Sequence, residues 1–502
     1  MAALPVSGQG NRPEIPPGLA LGANSRGEDA IKRLGKDLPA VARAYDMDGP
    51  AFRALLRTQR ELWVDKAGHL LFVCEGLSIA DATTAGGEVE GSSAVPNSTD
   101  AFKLHSRPGS NRIIFLDFDG HTTTGTSWNS AFTGGASIVS APFDMDGSPS
   151  TFSATERDRI TKIWQRVAED FAGFAVDVTT EDPGVEALRR SPSTDQAYGI
   201  RVVISPTSDW YPGAGGVAYV GSFTSSVDTP TFVFSGNLGP NNEKYVAEAT
   251  SHEVGHTLGL SHDGKTDGTA YYQGHGDWAP IMGVGYYRSI VQWSKGEYAL
   301  ANNKQDDLAI MPSYGAAIAT DDHGNTIATA TALAGGASVA ALGVIETRAD
   351  LDVFRFDTGA GLVSFTVTGT SPQPNVDAKL ELLSSSGSVI ASNNASGLNA
   401  TVSATLASGT YYLRIDGMGY GDPLSTGYSD YASIGEYALT GTVISTGLVS
   451  PIALVSANPT SGGAPLVVAL SSAGSSDADG SIVSYNWNLG NGQTSTAANP
   501  SA

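Results

Sequence analysis

The chain lacks several features that mark common protein classes. It has one cysteine, Cys74, among 502 residues, so no intrachain disulfide can form. It has no run of about 18 apolar residues, which argues against membrane insertion. Lysine and arginine number 29 against 51 acidic residues, and the net charge of -22 argues against binding to nucleic acid or anionic membranes. An acidic exported protein fits this composition better.

A secretory leader is also absent from the first residues. Met1 is followed by AALPVSGQG, which has neither the basic region nor the apolar region of a signal peptide. Such a start is normally typical of a cytoplasmic protein. The organisation of the rest of the chain predicts export instead, and we therefore expect that the natural leader has been removed.

What is present is a long, glycine-rich chain that should divide into several domains. The 60 glycines and the charged fraction of 16% are typical of β-rich secreted modules. Composition and hydrophobic periodicity predict four regions. They are an N-terminal region (1–107), an α+β region (108–315), a β-rich region (320–445) and a final β segment (450–502).

The α+β region shows an alternating order of elements. RIIFLDF (112–118) predicts a strand, and Ser153 with Glu156 forms a capping box that opens a helix. Four strand-like runs follow, namely AVDVTT, GIRVVIS, GVAYVGSF and TFVFSG. A second helix, from about 242 to 258, ends at Gly259. The predicted order is therefore strand, helix, four strands, helix.

The sequence SHEVGHTLGLSHD (251–263) contains the pattern H-E-x-x-H-x-x-G-x-x-H. His252 and His256 are four residues apart, so a helix presents both from one face. Gly259 can turn the chain sharply enough for His262 to become a third ligand of one catalytic zinc ion. Glu253 then lies beside the metal, where it can take a proton from zinc-bound water and pass it to the leaving amine. The alternative is a helix with metal-free histidines, but three of the eight histidines fall in this one motif.

This motif resembles that of the metzincin metalloproteases, in serralysin, matrixin and adamalysin forms. The resemblance implies a mixed, twisted sheet with two long helices. It also implies a methionine turn, which PIMGVGY (280–286) supplies at Met282. The fourth strand of the family binds extended substrate at a sheet edge; an interior strand is the alternative. Some relatives place a zinc-ligating tyrosine two residues after the methionine, where this chain has Val284. The residues expected to bind substrate are Gly216, Val217, Ala218, Tyr219, Tyr286 and Tyr287.

About one hundred residues precede the predicted catalytic region, which suggests a propeptide that keeps the enzyme latent. Matrixins block their zinc with a propeptide cysteine, and Cys74 is the one thiol available here. LLFVCEGL does not contain the matrixin propeptide motif. Cys74 is therefore a candidate latency ligand, and a buried strand cysteine is the alternative.

The C-terminal regions resemble accessory modules of secreted bacterial proteases. DDHGNT (321–326), ADLDVFRFDTGAG (349–361) and GTYYLRIDGMG (409–419) resemble the bacterial prepeptidase C-terminal domain, an all-β sandwich that is often cleaved off. SSDADGSIVSYNWNLGNGQTST resembles the start of a polycystic-kidney-disease-type domain and ends before its last strands. The resemblance makes calcium a second candidate ion, in a structural role.

Together these patterns predict a secreted, monomeric bacterial zinc metalloendopeptidase of the EC 3.4.24 type, with protein or peptide substrates. Two alternatives remain. One is a non-catalytic, zinc-containing adhesin or polymer-binding protein on a metalloprotease scaffold, against which the intact Glu253 argues. The other is a zinc hydrolase that acts on non-peptide bonds.

Overall fold

A computed structural model describes most of the chain. The described residues are 15, 18–76, 100–394, 397–445, 450–463, 465–477, 481–490 and 492–501. No helix within these ranges is long and apolar enough to cross a membrane. The predicted linker after Thr83 lies outside the described residues.

The N-terminal region forms three short helices and three strands around its own apolar cluster. The clustered residues include Val41, Phe52 and Leu55, all buried. Asp48 caps the third helix by accepting a hydrogen bond from the Ala51 N–H, which satisfies a backbone donor that the first helical turn leaves unpaired. The elements are β1 (Ser25–Arg26), α1 (Gly27–Leu34), α2 (Leu38–Ala44), α3 (Gly49–Thr58), β2 (Leu62–Val64) and β3 (Leu70–Glu75). Cys74 therefore lies in a strand, β3.

A mixed, eight-stranded sheet runs through the N-terminal and central regions. The α+β region contributes five of its strands, β4 (Arg112–Asp117), β7 (Asp177–Thr179), β8 (Tyr198–Ser205), β9 (Ala214–Tyr219) and β10 (Thr231–Phe234). The strand order is β1-β2-β3-β9-β10-β8-β4-β7. β8 pairs in parallel with β4 and β10, whereas β9 is antiparallel to both β10 and β3. The predicted strands are all present, and the arrangement is compatible with an α+β class.

Two long helices, α5 (Ala154–Asp170) and α6 (Glu243–Thr257), pack against each other and share the main apolar core with the sheet. The predicted capping box opens α5, since Ser153 accepts from the Glu156 N–H and the Glu156 side chain accepts from the Ser153 N–H. Smaller elements surround this core. They are β5 (His121–Thr123), α4 (Ser127–Phe132), β6 (Ile138–Ser140), β11 (Trp278–Pro280), β12 (Ile290–Gln292) and α7 (Asp307–Ser313).

The β-rich region folds into a five-stranded and a four-stranded sheet that share one apolar cluster. Its strands are β13 (Thr331–Ala332), β14 (Ser338–Ile345), β15 (Leu351–Thr358), β16 (Gly361–Gly369), β17 (Ala378–Leu383), β18 (Val389–Asn393), β19 (Ala400–Leu406), β20 (Gly409–Gly417) and β21 (Gly435–Thr442). We call this the two-sheet unit. Beyond it, the described residues form the short strands β22 (Ser456–Asn458), β23 (Ala469–Ser471), β24 (Trp487–Asn488) and β25 (Thr494–Ser495).

The structure differs from the sequence-based expectation at β9. The run from Gly216 was expected to form an open sheet edge, yet β9 is an interior strand. β3 of the N-terminal region pairs along its outer side, with Leu71 opposite Tyr219 and Cys74 opposite Gly216. The edge is therefore covered by another part of the same chain, a pairing that local sequence patterns do not reveal.

A buried polar interface joins the two-sheet unit to α5 and α6. The Asn375 N–H donates to Glu169 Oε1 at 3.0 Å, and its Nδ2 donates to Asp170 Oδ1 at 2.9 Å. The Gln373 Nε2 donates to Glu248 Oε1 at 2.7 Å. All five side chains are buried, so these carboxylates depend on the two-sheet unit for partners that water cannot supply.

This interface leads to a prediction about stability. Replacing Asn375 with alanine leaves Asp170 Oδ1 without its donor, and an unsatisfied buried acceptor costs about 1–3 kcal/mol. We expect a lower unfolding midpoint in urea for Asn375→Ala than for Asn394→Ala, which changes an exposed asparagine of the same unit. Equal midpoints for the two variants would contradict a stabilising role for this contact.

Candidate metal centre and active site

Helix α6 carries the first half of the zinc motif into the protein interior. Asn242 caps the helix by accepting hydrogen bonds from the backbone N–H groups of Lys244 and Tyr245. After the helix, Gly259 has a φ of 88°, which favours glycine, and a Cβ there would lie 2.4 Å from the Tyr314 ring. The chain therefore reverses at Gly259 and brings His262 back towards the helix, as the sequence predicted.

Three imidazoles converge at the end of α6. The Nε2 atoms of His256 and His262 are 3.0 Å apart. The Nδ1 of His252 is 2.8 Å from the Ile281 carbonyl, and the Nδ1 of His256 is 2.8 Å from the Leu260 carbonyl. These carbonyls can only accept, so both Nδ1 atoms carry the proton and both Nε2 lone pairs are left for a metal ion.

Burial keeps these imidazoles neutral. It lowers the pKa of His252 to about 4 and lowers the pKa of His256 and His262 well below the ordinary value, with neighbouring imidazoles adding to the effect for the last two. A neutral imidazole is the form that binds metal.

Cys74 completes a group of four donors. Its Sγ lies 3.5 Å from Nε2 of His252, 3.5 Å from Nε2 of His256 and 3.4 Å from Nε2 of His262. The four donor atoms lie within 4.8 Å of one another, and all four residues are buried. Three imidazoles and one thiolate form a donor set that suits tetrahedral zinc, so these residues fit the ion that the motif predicts.

Glu253 lies next to this group, and its carboxylate interacts with the Cys74 thiol. It is 1% exposed, and neither carboxylate oxygen has a nitrogen or oxygen partner among the described residues. Burial raises the pKa of Glu253 to about 8. The carboxylate faces Gly216 of β9, where an added Cβ would lie 2.3 Å from Oε1. Gly216 therefore leaves the space that the carboxylate occupies.

Met282 lies beneath the histidines. It is fully buried, and its Sδ would be 2.5 Å from a Cβ added at Gly255, which lies between the first two histidines. The Met282 carbonyl accepts from the Asp263 N–H at 2.8 Å. The segment 281–282 is thus hydrogen-bonded to His252 and to the residue after His262.

A cavity of about 350 Å³ opens beside the metal donors. Of the residues expected to bind substrate, Gly216, Tyr286 and Tyr287 line this cavity, as does Val284. The other three are buried in β9 beneath the N-terminal region, and the Tyr219 hydroxyl donates to Asp65 Oδ2 of that region at 3.1 Å. Tyr286 packs on Tyr245, with 4.9 Å between ring centroids.

The N-terminal region supplies part of the cavity wall. Cys74, Glu75 and Gly76 line it, and the Phe72 ring stacks on His256 with 4.1 Å between ring centroids. These contacts follow from the β3–β9 pairing, which places one side of β3 over the histidines. In this form of the chain the predicted substrate strand and the metal donors are both covered by the same segment.

Sequence reasoning missed one residue of the site, Tyr271. Its ring centroid lies 4.4 Å from that of His262 and 6.1 Å from that of His252, and it lines the same cavity. Burial raises the pKa of Tyr271 well above the ordinary value. The segment from Gly264 to Tyr271 contains no motif, so no sequence signal could have placed this side chain beside the histidines.

A second group of acids lies in the two-sheet unit and consists of Asp321, Asp322, Glu346, Asp350 and Asp352. We call it the acidic cluster. Two overlapping sets of three have oxygens within 4.8 Å of one another. Glu346, Asp350 and Asp352 are buried, and each has one carboxylate oxygen without a partner among the described residues. Burial, together with neighbouring acids, raises the pKa of Glu346 to about 9 and that of Asp352 to about 8.

A third group of acids, Asp144, Asp146 and Glu156, differs from the acidic cluster because its carboxylates have hydrogen-bond partners. Each of its side chains accepts backbone N–H bonds of the turn and helix start, as Asp144 Oδ1 does from Gly147 at 2.9 Å. Turn and cap formation accounts for these acids.

Comparison with known proteins supports the assignment of the zinc motif. The sequence profile of the metallopeptidase family M12B, reprolysin-like, matches residues 176–263, which include α6 and all three histidines. This match covers less than a fifth of the chain. No curated protein matches the chain.

Several solved structures are similar over 22% of this chain. The pre-peptidase C-terminal domain of a collagenase from Bacillus anthracis is 18% identical, with 96% of its length covered and a TM-score of 0.17. PliG from Aeromonas hydrophila, a periplasmic inhibitor of g-type lysozyme, is 17% identical, with 96% covered and a TM-score of 0.17. These scores carry no argument about fold or function.

The segment with the histidines, residues 176–263, is thus similar to reprolysin-like metallopeptidases through the family match alone, and that similarity indicates zinc-dependent proteolysis.

Proposed function

We propose that this protein is a secreted zinc-dependent endopeptidase that is made in a latent form and cleaves extracellular proteins. The arrangement of three neutral imidazoles around one point, with the buried Glu253 carboxylate beside them, carries the proposal. His252, His256 and His262 would hold one zinc ion. The reprolysin-like match over the same residues supports this activity.

Each residue of the site has a distinct role in the proposed peptide hydrolysis. Zinc, when bound, supplies Lewis-acid activation of water and of the peptide carbonyl. Glu253 would accept the proton of the attacking water and then donate it to the leaving amine. Gly216 keeps room for that carboxylate, and the backbone of β9 would hold an extended peptide.

Latency in this proposal has two components. β3 occupies the hydrogen-bonding side of β9 that substrate would use, and Cys74 Sγ occupies the fourth donor position that water would take. Cleavage in the polar stretch predicted from Thr83 to Asp100 would cut the covalent link between this segment and the site. Activation then requires β3 to leave β9, which uncovers the cleft and the metal together.

The buried Glu253 argues against the rival function of a non-catalytic binding protein. A buried carboxylate that has no nitrogen or oxygen donor among the described residues costs folding free energy, and a scaffold gains nothing from it. Gly216 argues in the same way, because it leaves space for that carboxylate alone.

We also propose that the acidic cluster holds the structural calcium ion expected from the sequence. Calcium takes six to eight oxygen ligands, and the cluster offers several carboxylates with unpartnered oxygens. A cation there would offset the repulsion between Glu346, Asp350 and Asp352.

The first prediction concerns Glu253. In the chain activated by limited proteolysis, we expect Glu253→Gln to lower casein hydrolysis by about 10²–10⁴-fold, because the general base is lost. Zinc content should stay at one ion per chain, since Glu253 is not among the four donors. Glu186→Gln, at an exposed glutamate, is the matched control. Zinc in the activated wild type without any hydrolysis would refute the proposed function.

The second prediction concerns Cys74. In the unprocessed chain substituted with cobalt, we expect the thiolate-to-cobalt charge-transfer absorption to disappear in Cys74→Ala. The same variant should gain casein hydrolysis but remain below the processed enzyme, because β3 still covers β9. Val73→Ala, a neighbouring change on the opposite face of β3, should keep the absorption band. Absence of this band from the unprocessed, cobalt-substituted wild type would rule out the thiol as a ligand.

The third prediction concerns calcium. We expect calcium to raise the unfolding midpoint, with a gain of about 2.7 kcal/mol when the free ion is about 100-fold above its Kd. Asp352→Asn should abolish this gain, whereas Asp357→Asn, at an exposed aspartate of the same strand, should retain it. A midpoint that does not respond to calcium would refute the site.

A further inference from the structure

Tyr271 presents its hydroxyl group to the Cys74 thiol, beside the metal donors. The hydroxyl is buried and has no nitrogen or oxygen partner among the described residues. Its neighbour is the Cys74 thiol, with which it interacts directly. When β3 and Cys74 leave the site, this hydroxyl loses that partner, and a buried hydroxyl without a partner costs free energy.

The Cys74 sulfur marks where a reacting oxygen would lie. It stands at the fourth position around the three imidazoles, which in the active enzyme would be taken by water and by the carbonyl of the substrate. Tyr271 adjoins this sulfur and packs over His262 at 4.4 Å between ring centroids. Once β3 has left, its hydroxyl would therefore face the oxygen of the bond being cleaved.

The backbone next to Tyr271 is held from two sides. The Tyr272 N–H donates to the Asp263 carbonyl at 2.7 Å, and the Tyr272 carbonyl accepts from the Val284 N–H at 2.9 Å. Gly283 leaves space for this contact, because a Cβ there would lie 2.4 Å from the Tyr272 carbonyl oxygen. Tyr271 is thus positioned by the segments that follow His262 and Met282, and none of these contacts involves the N-terminal region.

The other tyrosines of the cavity are placed differently. Tyr286 and Tyr287 pack on Tyr245 near the start of α6, with ring centroids 4.9 and 6.3 Å from it. Of the three, Tyr271 is the one whose ring contacts the histidines.

From this geometry we propose that Tyr271 is a catalytic residue, donating a hydrogen bond to the carbonyl oxygen of the scissile peptide as negative charge develops on it. The inference rests on the proposed peptidase function. Such a donor acts mainly in the transition state, because the charge it meets is absent from the bound substrate. No proton is transferred, so the tyrosine stays neutral throughout, while Glu253 handles the proton of the attacking water.

The test compares Tyr271→Phe with wild type after activation by limited proteolysis, using a fluorogenic peptide derived from a casein cleavage site. We expect kcat to fall by about 10²-fold or more, as for loss of one oxyanion donor, with KM changed by less than about threefold. Tyr272→Phe removes a hydroxyl from the same loop, where it lies 2.6 Å from His275 Nδ1, and should leave kcat near the wild-type value.

Three results would overturn the proposal. The first is an unchanged kcat for Tyr271→Phe, or a rise in KM alone, which would make the residue a contact for bound substrate. The second is loss of zinc or a lower unfolding midpoint in that variant, which would show that the side chain supports the fold. The third is the absence of hydrolysis by activated wild type, which would refute the proposed function as well, whereas the first two leave it standing.

Discussion

The metal centre depends on two buried hydrogen bonds between imidazole Nδ1 atoms and backbone carbonyls. They join His252 to Ile281 and His256 to Leu260, and they select the tautomer whose Nε2 faces the common point. Two loops that follow α6 supply these carbonyls. The geometry of those loops, set by the reversal at Gly259 and by the close packing of Met282, therefore decides whether the histidines can act together.

The N-terminal region belongs to the same sheet as the site that it covers. Because β3 continues the strand order next to β9, its main chain and the Cys74 side chain arrive at the cleft in one register. A shift of one residue would turn the thiol to the opposite face of the strand. In the proposed latent form, strand pairing thus provides the precision that the thiol needs to reach three imidazoles at 3.4–3.5 Å.

The two-sheet unit also supports helix α6, on a side other than the one held by the loops. Asp170 accepts hydrogen bonds from Asn375 of that unit and from Ser251, the residue before His252. Helix α6 is therefore fixed on one side by the loops that orient its histidines and on the other by carboxylates that the two-sheet unit satisfies. This shared network makes the unit part of the support of the site, whereas the sequence resemblance implied a module that is often cleaved off.

The sequence by itself determined those features that depend on the order of neighbouring residues. The spacing of His252, Glu253 and His256 predicted the helix that carries the candidate zinc ligands. Gly259 predicted the reversal after it, and hydrophobic periodicity predicted the strands and α5. Tertiary structure alone decided which distant segments meet there. The pairing of β3 with β9 and the approach of Tyr271 to His262 join residues far apart in the chain, through backbone hydrogen bonds and packing that leave no periodic trace in the sequence. Cys74 illustrates both contributions. The sequence identified it as a candidate ligand, and the tertiary structure determined its distance to the histidines.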